Sequence, residues 1–128
     1  MVTVLEEIRL QSRFCGEFGS FFTEQLLSRV ADDIEAGGVC DRLTSTWQGN
    51  PRADAVSLRI AGALHAAALT SRDPRLASEY PAERRHWSMD RVWPIAHDFL
   101  EREEAHVRNF MKSPPQTNET ARSAGLAC

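Results

Sequence analysis

The residues able to do chemistry are few and scattered. His97 and Asp98 are adjacent, and His65 lies upstream, a pattern that a helical metal-dependent phosphohydrolase would complete with a further His and a later Asp. No Asp follows position 98, so one ligand is missing. On a 3.6-residue wheel His97 and Asp98 fall opposite Phe99, Leu100 and Val107, which turns them toward water rather than into a metal cavity. Two ExxH spacings, Glu83 to His86 and Glu103 to His106, match the half-sites of helical di-iron bundles, but the other helices offer no inward carboxylates to complete one. No metal site is expected.

Glu103 stands apart because the wheel places it inside an apolar face, among Phe99, Leu100, Val107 and Phe110. An ionised carboxylate left unpaired there costs several kcal/mol, so a partner is expected, with Arg122, Arg59 and His65 as candidates. A buried pair that orients neighbouring helices is preferred over catalysis. Arg72, Arg75, Arg84, Arg85 and Arg91 form a locally basic stretch diluted by Asp73, Glu79, Glu83 and Asp90, and a solvated loop is preferred there over an anion site.

The elements that must position these groups read as helices throughout. Asn50 to Thr70 is the most apolar run of helical length, with Asn50 placed to cap and Pro51 placed to begin. Ala53, Val56, Ile60, Ala63, Leu64 and Ala67 share one face while Leu58, Gly62, Ala66 and Leu69 lie nearly opposite. A helix apolar on two sides, and rich in small residues, is expected to be central. Met1 to about Glu17 predicts a first helix facing inward with Val4, Leu5, Ile8, Ser12 and Cys15. A second runs from a Ser20 cap to Gly37-Gly38, facing inward with Thr23, Leu26, Leu27, Val30 and Ile34. Val39 to Trp47 predicts a short helix, Arg75 to Glu79 at most a turn, and Met89 to Lys112 a long amphipathic helix whose regular part starts near Trp93 because of Pro94. Pro114-Pro115 ends it, and Gln116 to Leu126 is expected to form one more. The expected fold is all-α, an irregular bundle of five or six helices around the central apolar one, in a single domain spanning residues 1–128.

Composition narrows the partners. A net charge of −3 and a pI near 5.8 give no electrostatic footing for nucleic acid or acidic lipid. Basic residues are 14 Arg to one Lys, beside 16 Ala, a bias typical of GC-rich bacterial coding. Cys15, Cys40 and Cys128 are odd in number and widely spaced, which fits a reduced cytoplasm better than zinc or a disulfide framework. The N-terminus carries two Glu where a secretory signal has its positive end, and no run approaches a membrane span.

QTNETARSAGL, from Gln116, resembles the QTNEVGR-type segment of the bacterial domain of unknown function 2332 family. NPRADAVSLRIAGALHAAAL is similar to that family's long apolar helix with its His, Pro74 to Pro81 to its HPLAxYYP loop, and WPIAHDFLEREEAHVRNFM to its WPAFRAF helix. The likeness rests mainly on Gln116, Thr117, Asn118, Glu119 and Arg122, while Thr120, Ala121 and Ser78-Glu79 depart from the family pattern. Family members are generally more than twice as long, and their later part resembles a Rossmann-like methyltransferase domain. The resemblance therefore implies a helical N-terminal module. It implies no cofactor in this chain, and an S-adenosylmethionine-like ligand would have a place only with the second domain. It also implies either that domain or a second copy as partner. Gln116, Thr117, Asn118, Glu119 and Arg122 are the ligand or interface candidates, and Glu103 and His65 the buried polar ones. With no nucleophile, metal cluster or phosphate loop, an independent enzyme is the least favoured reading.

Overall fold

The computed structural model describes residues 2–81 and 86–112, and among these every regular element is a helix. Chain order gives α1 (Val4–Glu17), α2 (Phe21–Glu35), α3 (Val39–Thr44), α4 (Val56–Leu69), α5 (Pro74–Glu79), α6 (Met89–Arg102) and α7 (Glu104–Met111). The bundle is all-α, as its patterning predicts, with α1, α2, α4, α6 and α7 as its substantial elements. No described helix is long and apolar enough to cross a membrane.

Helix ends follow local chemistry. Thr3 and Glu6 form a reciprocal capping box at the start of α1. At the end of α2, Gly37 takes φ +75°, its N–H bonds Ile34 O at 3.0 Å and the Gly38 N–H bonds Asp33 O at 2.9 Å, so two terminal carbonyls are satisfied by a left-handed residue that glycine accommodates without strain.

Ile8, Leu26, Leu27, Val30, Val39, Val56, Ile60, Leu64, Leu76, Leu100 and Val107 are fully buried, and each such side chain is worth about 1.5–3 kcal/mol relative to exposure. α4 touches α1, α2, α5 and α7, and α2 touches α1, α3, α4 and α6, so two crossing helices share the centre. The expected α4 core face, Ile60 and Leu64, is fully buried, but the opposite face is covered less evenly, with Leu69 46% exposed.

Three boundaries differ from expectation. Asn50 does cap, accepting from the Arg52 and Ala53 amides at 2.9 and 3.0 Å, but it caps an isolated turn rather than α4. Ala55 sits in the left-handed region (φ 50°, ψ 53°), which no sequence rule assigns to alanine, and α4 starts after it at Val56 instead of Pro51. α6 begins at Met89 and runs through Pro94, because the carbonyl that Pro94 leaves without a helical donor belongs to the exposed first-turn residue Asp90. The long helix is also two helices. Glu103 leaves helical geometry at φ −110°, ψ 30°, and α7 restarts at Glu104 so that it can lie on α4 and α3 while α6 lies on α2 and α5.

Candidate functional site

Glu103 is the joint between α6 and α7, and that corrects its expected burial. Its side chain is 33% exposed, and the described cation it meets is Arg72, at 3.6 Å. Past the joint the wheel drawn from Trp93 no longer holds phase, so the carboxylate leaves the apolar face. Of the proposed partners, Arg59 instead bonds Asp54 O and Met111 O at 2.7 and 2.8 Å, and His65 bonds Tyr80. Arg122 lies outside the described residues, as do Gln116, Thr117, Asn118, Glu119 and Glu83. Among the described residues no group of His, Cys, Asp and Glu could hold a metal ion.

Glu103 lines a cleft of about 560 Å³ with Arg72, Asp73, Pro74, Arg75, Asp98, Phe99 and Arg102. α5 supplies one wall and the end of α6 the other. Asp73, 3% exposed, starts α5 by accepting from the Arg75 and Leu76 amides at 3.0 and 3.2 Å, the capping role that an Asp before Pro is suited to. Its Oδ2 also receives Arg75 Nη2 at 3.3 Å and Arg102 Nη2 at 2.9 Å. Asp98 Oδ2 receives the same two guanidiniums, from Arg75 Nη2 at 2.6 Å and Arg102 Nε at 2.8 Å. Two arginines and two aspartates thus close a ring that fastens α5 to α6. Burial works to raise the Asp73 pKa, but the Arg75 guanidinium and the two amides outweigh it and hold the group below the usual carboxylate range. Arg75 and Arg102 hold Asp98 low as well. A ring whose charges cancel offers little to a free anion, and its chemistry is that of a clasp.

The other end of α5 is fastened from beneath. Tyr80, 4% exposed, places its hydroxyl 3.0 Å from Nδ1 of His65, itself 1% exposed on α4. Phe22 meets the Tyr80 ring edge-on at 4.8 Å and the Trp87 ring at 5.2 Å. Burial raises the Tyr80 pKa well above its ordinary value, which keeps the phenol protonated. His65 and Tyr80 belong to two of the segments in which the resemblance was read. Their contact is a buried hydrogen bond among aromatic rings, with geometry suited to holding α5 on α4.

The sequence reading missed two carboxylates that begin helices to which they do not belong. α4 starts without a capping side chain, since its N-cap is Ala55. Glu7 of α1, 5% exposed, supplies the acceptor instead, with Oε2 taking the Ser57 N–H at 3.0 Å and Oε1 the Ser57 hydroxyl at 2.7 Å. The other first-turn amides, Val56, Leu58 and Arg59, bond Pro51 O and Ala55 O, so every orphan donor of that end is met. Asp33 of α2 repeats the device at α3, whose N-cap is Gly38. Its Oδ2 takes the Cys40 N–H at 2.9 Å and its Oδ1 lies 3.1 Å from His97 Nε2. The available signal was negative: Ala55 and Gly38 stand where a Ser, Thr, Asp or Asn cap would be written.

One surface lacks a cover among the described residues. Phe14, Phe18 and Phe21 are 41%, 81% and 58% exposed around the α1–α2 corner, with Phe14 in the last turn of α1 and Phe18 its C-cap. Phe14 also borders a pocket of about 260 Å³ with Glu7, Leu10, Gln11, Arg52 and Ala55.

Compared with known proteins, residues 5–128 match the family described as "Uncharacterized protein conserved in bacteria (DUF2332)". No curated protein and no solved structure matches the chain.

Proposed function

The chain belongs to the DUF2332 family of bacterial proteins, and from that premise we propose that it is a helical accessory module that packs on a methyltransferase-like domain and helps cover its ligand cleft, without chemistry of its own. The observation that carries this reading is the phenylalanine corner. A residue such as Phe18, 81% exposed beside Phe14 and Phe21, is ordinary singly but informative as a contiguous set. At roughly 150–250 Å² per aromatic side chain, the three expose on the order of 300–450 Å². Two copies face to face would bury roughly 600–900 Å² from these rings, short of the roughly 1,200 Å² at which stable complexes begin. A covalently linked domain needs less, because tethering supplies the effective concentration that a free partner must supply by affinity. The clasp and the His65–Tyr80 bond support the same reading, since both tie α5 to a neighbouring helix and so hold a scaffold.

Light scattering behind size exclusion tests it. The 128-residue chain is expected to be monomeric and to enhance the fluorescence of a hydrophobic dye, and replacing Phe14, Phe18 and Phe21 by Ser is expected to abolish the enhancement while leaving the melting temperature near wild type. A discrete dimer that those substitutions dissociate refutes the accessory reading in favour of a stand-alone homodimer.

A further inference from the structure

Independently of that reading, we propose that the pocket beside Trp47 is a binding site for a small carboxylate with a flat apolar body, of about the size of an arylacetate. The pocket measures about 250 Å³, and Leu43 (4% exposed), Met111 (1%) and Trp47 give it apolar walls, while Arg108 and Lys112 stand at its rim.

Trp47 is held before any ligand arrives. Its Nε1 donates to Asp54 Oδ2 at 2.9 Å, and the Arg59 guanidinium lies 5.5 Å from its ring centroid, outside the pocket lining. Arg59 is fixed in turn by Asp54 O and Met111 O. Glycine at residue 49 leaves room for this bond, since a Cβ there would stand 2.0 Å from Asp54 Oδ2 and 3.4 Å from Trp47 Nε1 and would push the carboxylate aside. An aromatic wall fixed by its own polar edge loses little freedom on binding, which is what lets a shallow pocket hold a small molecule.

The rim decides the ligand's charge. Asp54 keeps its charge but spends Oδ2 on the indole N–H, with the Arg59 guanidinium on its own carbonyl, while Arg108 is paired with Glu104 Oε2 at 2.9 Å and bonds Arg42 O at 3.3 Å. Lys112, exposed, has no ion pair with any described residue. An apolar slot lined by an ammonium that no described carboxylate pairs favours an apolar acid over a neutral or basic analogue.

Phenylacetate and its neutral isostere phenylacetamide are the probes, titrated against the full 128-residue chain by saturation-transfer NMR. Phenylacetate is expected to bind with a Kd of about 1 mM, as a ligand of that size allows. Lys112→Gln, a surface change that leaves the fold intact, is expected to weaken phenylacetate about threefold to fivefold and phenylacetamide less than twofold. Trp47→Ala is expected to abolish both, and Trp47→Phe, which keeps a ring, to retain weak binding if the alanine variant fails to fold. No transfer to either probe overturns the proposal, including the case in which residues 113–128, which follow the rim directly, fill the pocket. Equal weakening of both probes by Lys112→Gln, or binding indifferent to Trp47, also overturns it.

Discussion

Removing the carboxylate of Glu7 deprives two donors of their acceptor at once, the amide and the hydroxyl of Ser57, at a site where Glu7 is 5% and Ser57 0% exposed. A buried donor left unmet costs about 1–3 kcal/mol, and the Ser57 hydroxyl can turn elsewhere while its amide cannot, so Glu7→Ala is expected to cost about 1–3 kcal/mol. At roughly 3–5 °C for each kcal/mol in a domain of this size, a thermal melt followed by circular dichroism resolves the change. Glu7→Gln isolates the charge from the hydrogen bonds, because its carboxamide oxygen can accept from the amide and its NH₂ can donate to the hydroxyl. Burial raises the Glu7 pKa above its ordinary value of 4.5, and the Ser57 bonds offset this only in part. The protonated form is therefore the one the fold prefers. That contribution is fully present below the unfolded value and is lost as pH rises through the raised folded value. Glu7→Gln should accordingly match wild type in acid and become the more stable of the two as pH climbs toward neutrality. A Glu7→Ala melt within about 1 °C of wild type, or a glutamine variant as weak as the alanine one, refutes the assignment of Glu7 as the cap of α4.

The clasp titrates in the opposite sense. Asp73 and Asp98 are held low, so their contribution is present above the unfolded carboxylate value and is lost as pH falls through the depressed folded values, visible as a falling urea midpoint between about pH 5 and pH 2. Asp73→Ala, which removes both a cap and the ring, is expected to cost about 1–2 kcal/mol by the same assay. Tyr80 is the chain's one tyrosine, so ultraviolet titration reads it alone, and phenolate is expected only with alkaline unfolding, well past the ordinary value of 10. Ala55→Gly relieves a left-handed alanine that costs about 1–2 kcal/mol and adds about 0.5–1 kcal/mol of chain entropy, so chemical denaturation should show it neutral to slightly stabilising.

Elements written in local chemistry were legible in the sequence. Val30, Ile60, Leu64 and Phe99 fall where helical periodicity puts them, and Pro74–Glu79 is the single turn its composition allows. What escaped is decided between elements. Nothing in residues 102–104 breaks a helix, yet two different packing surfaces pull α6 and α7 apart and carry Glu103 out of the core with them. Asp98 read as a solvated acid on a wheel, and the wheels of α1 and α2 did not single out Glu7 or Asp33, because Ser57, Cys40 and Arg75 reach these carboxylates from other elements. His65 was visible as a polar residue on an apolar helix, but its bond to Tyr80 needed the α4–α5 connection.

Glu7 and Ser57 are 50 residues apart, and this gives the bundle an assembly order. A helix that carries its own cap can flicker into existence before it docks, whereas α4 must wait until α1 is beside it to close its first turn. The same holds for α3 and α2 through Asp33, so the starts of both later helices report on the two earlier ones. Native-state hydrogen exchange would show this as shared protection, the Ser57 amide opening together with α1 and the Cys40 amide together with α2, rather than each fraying with its own neighbours.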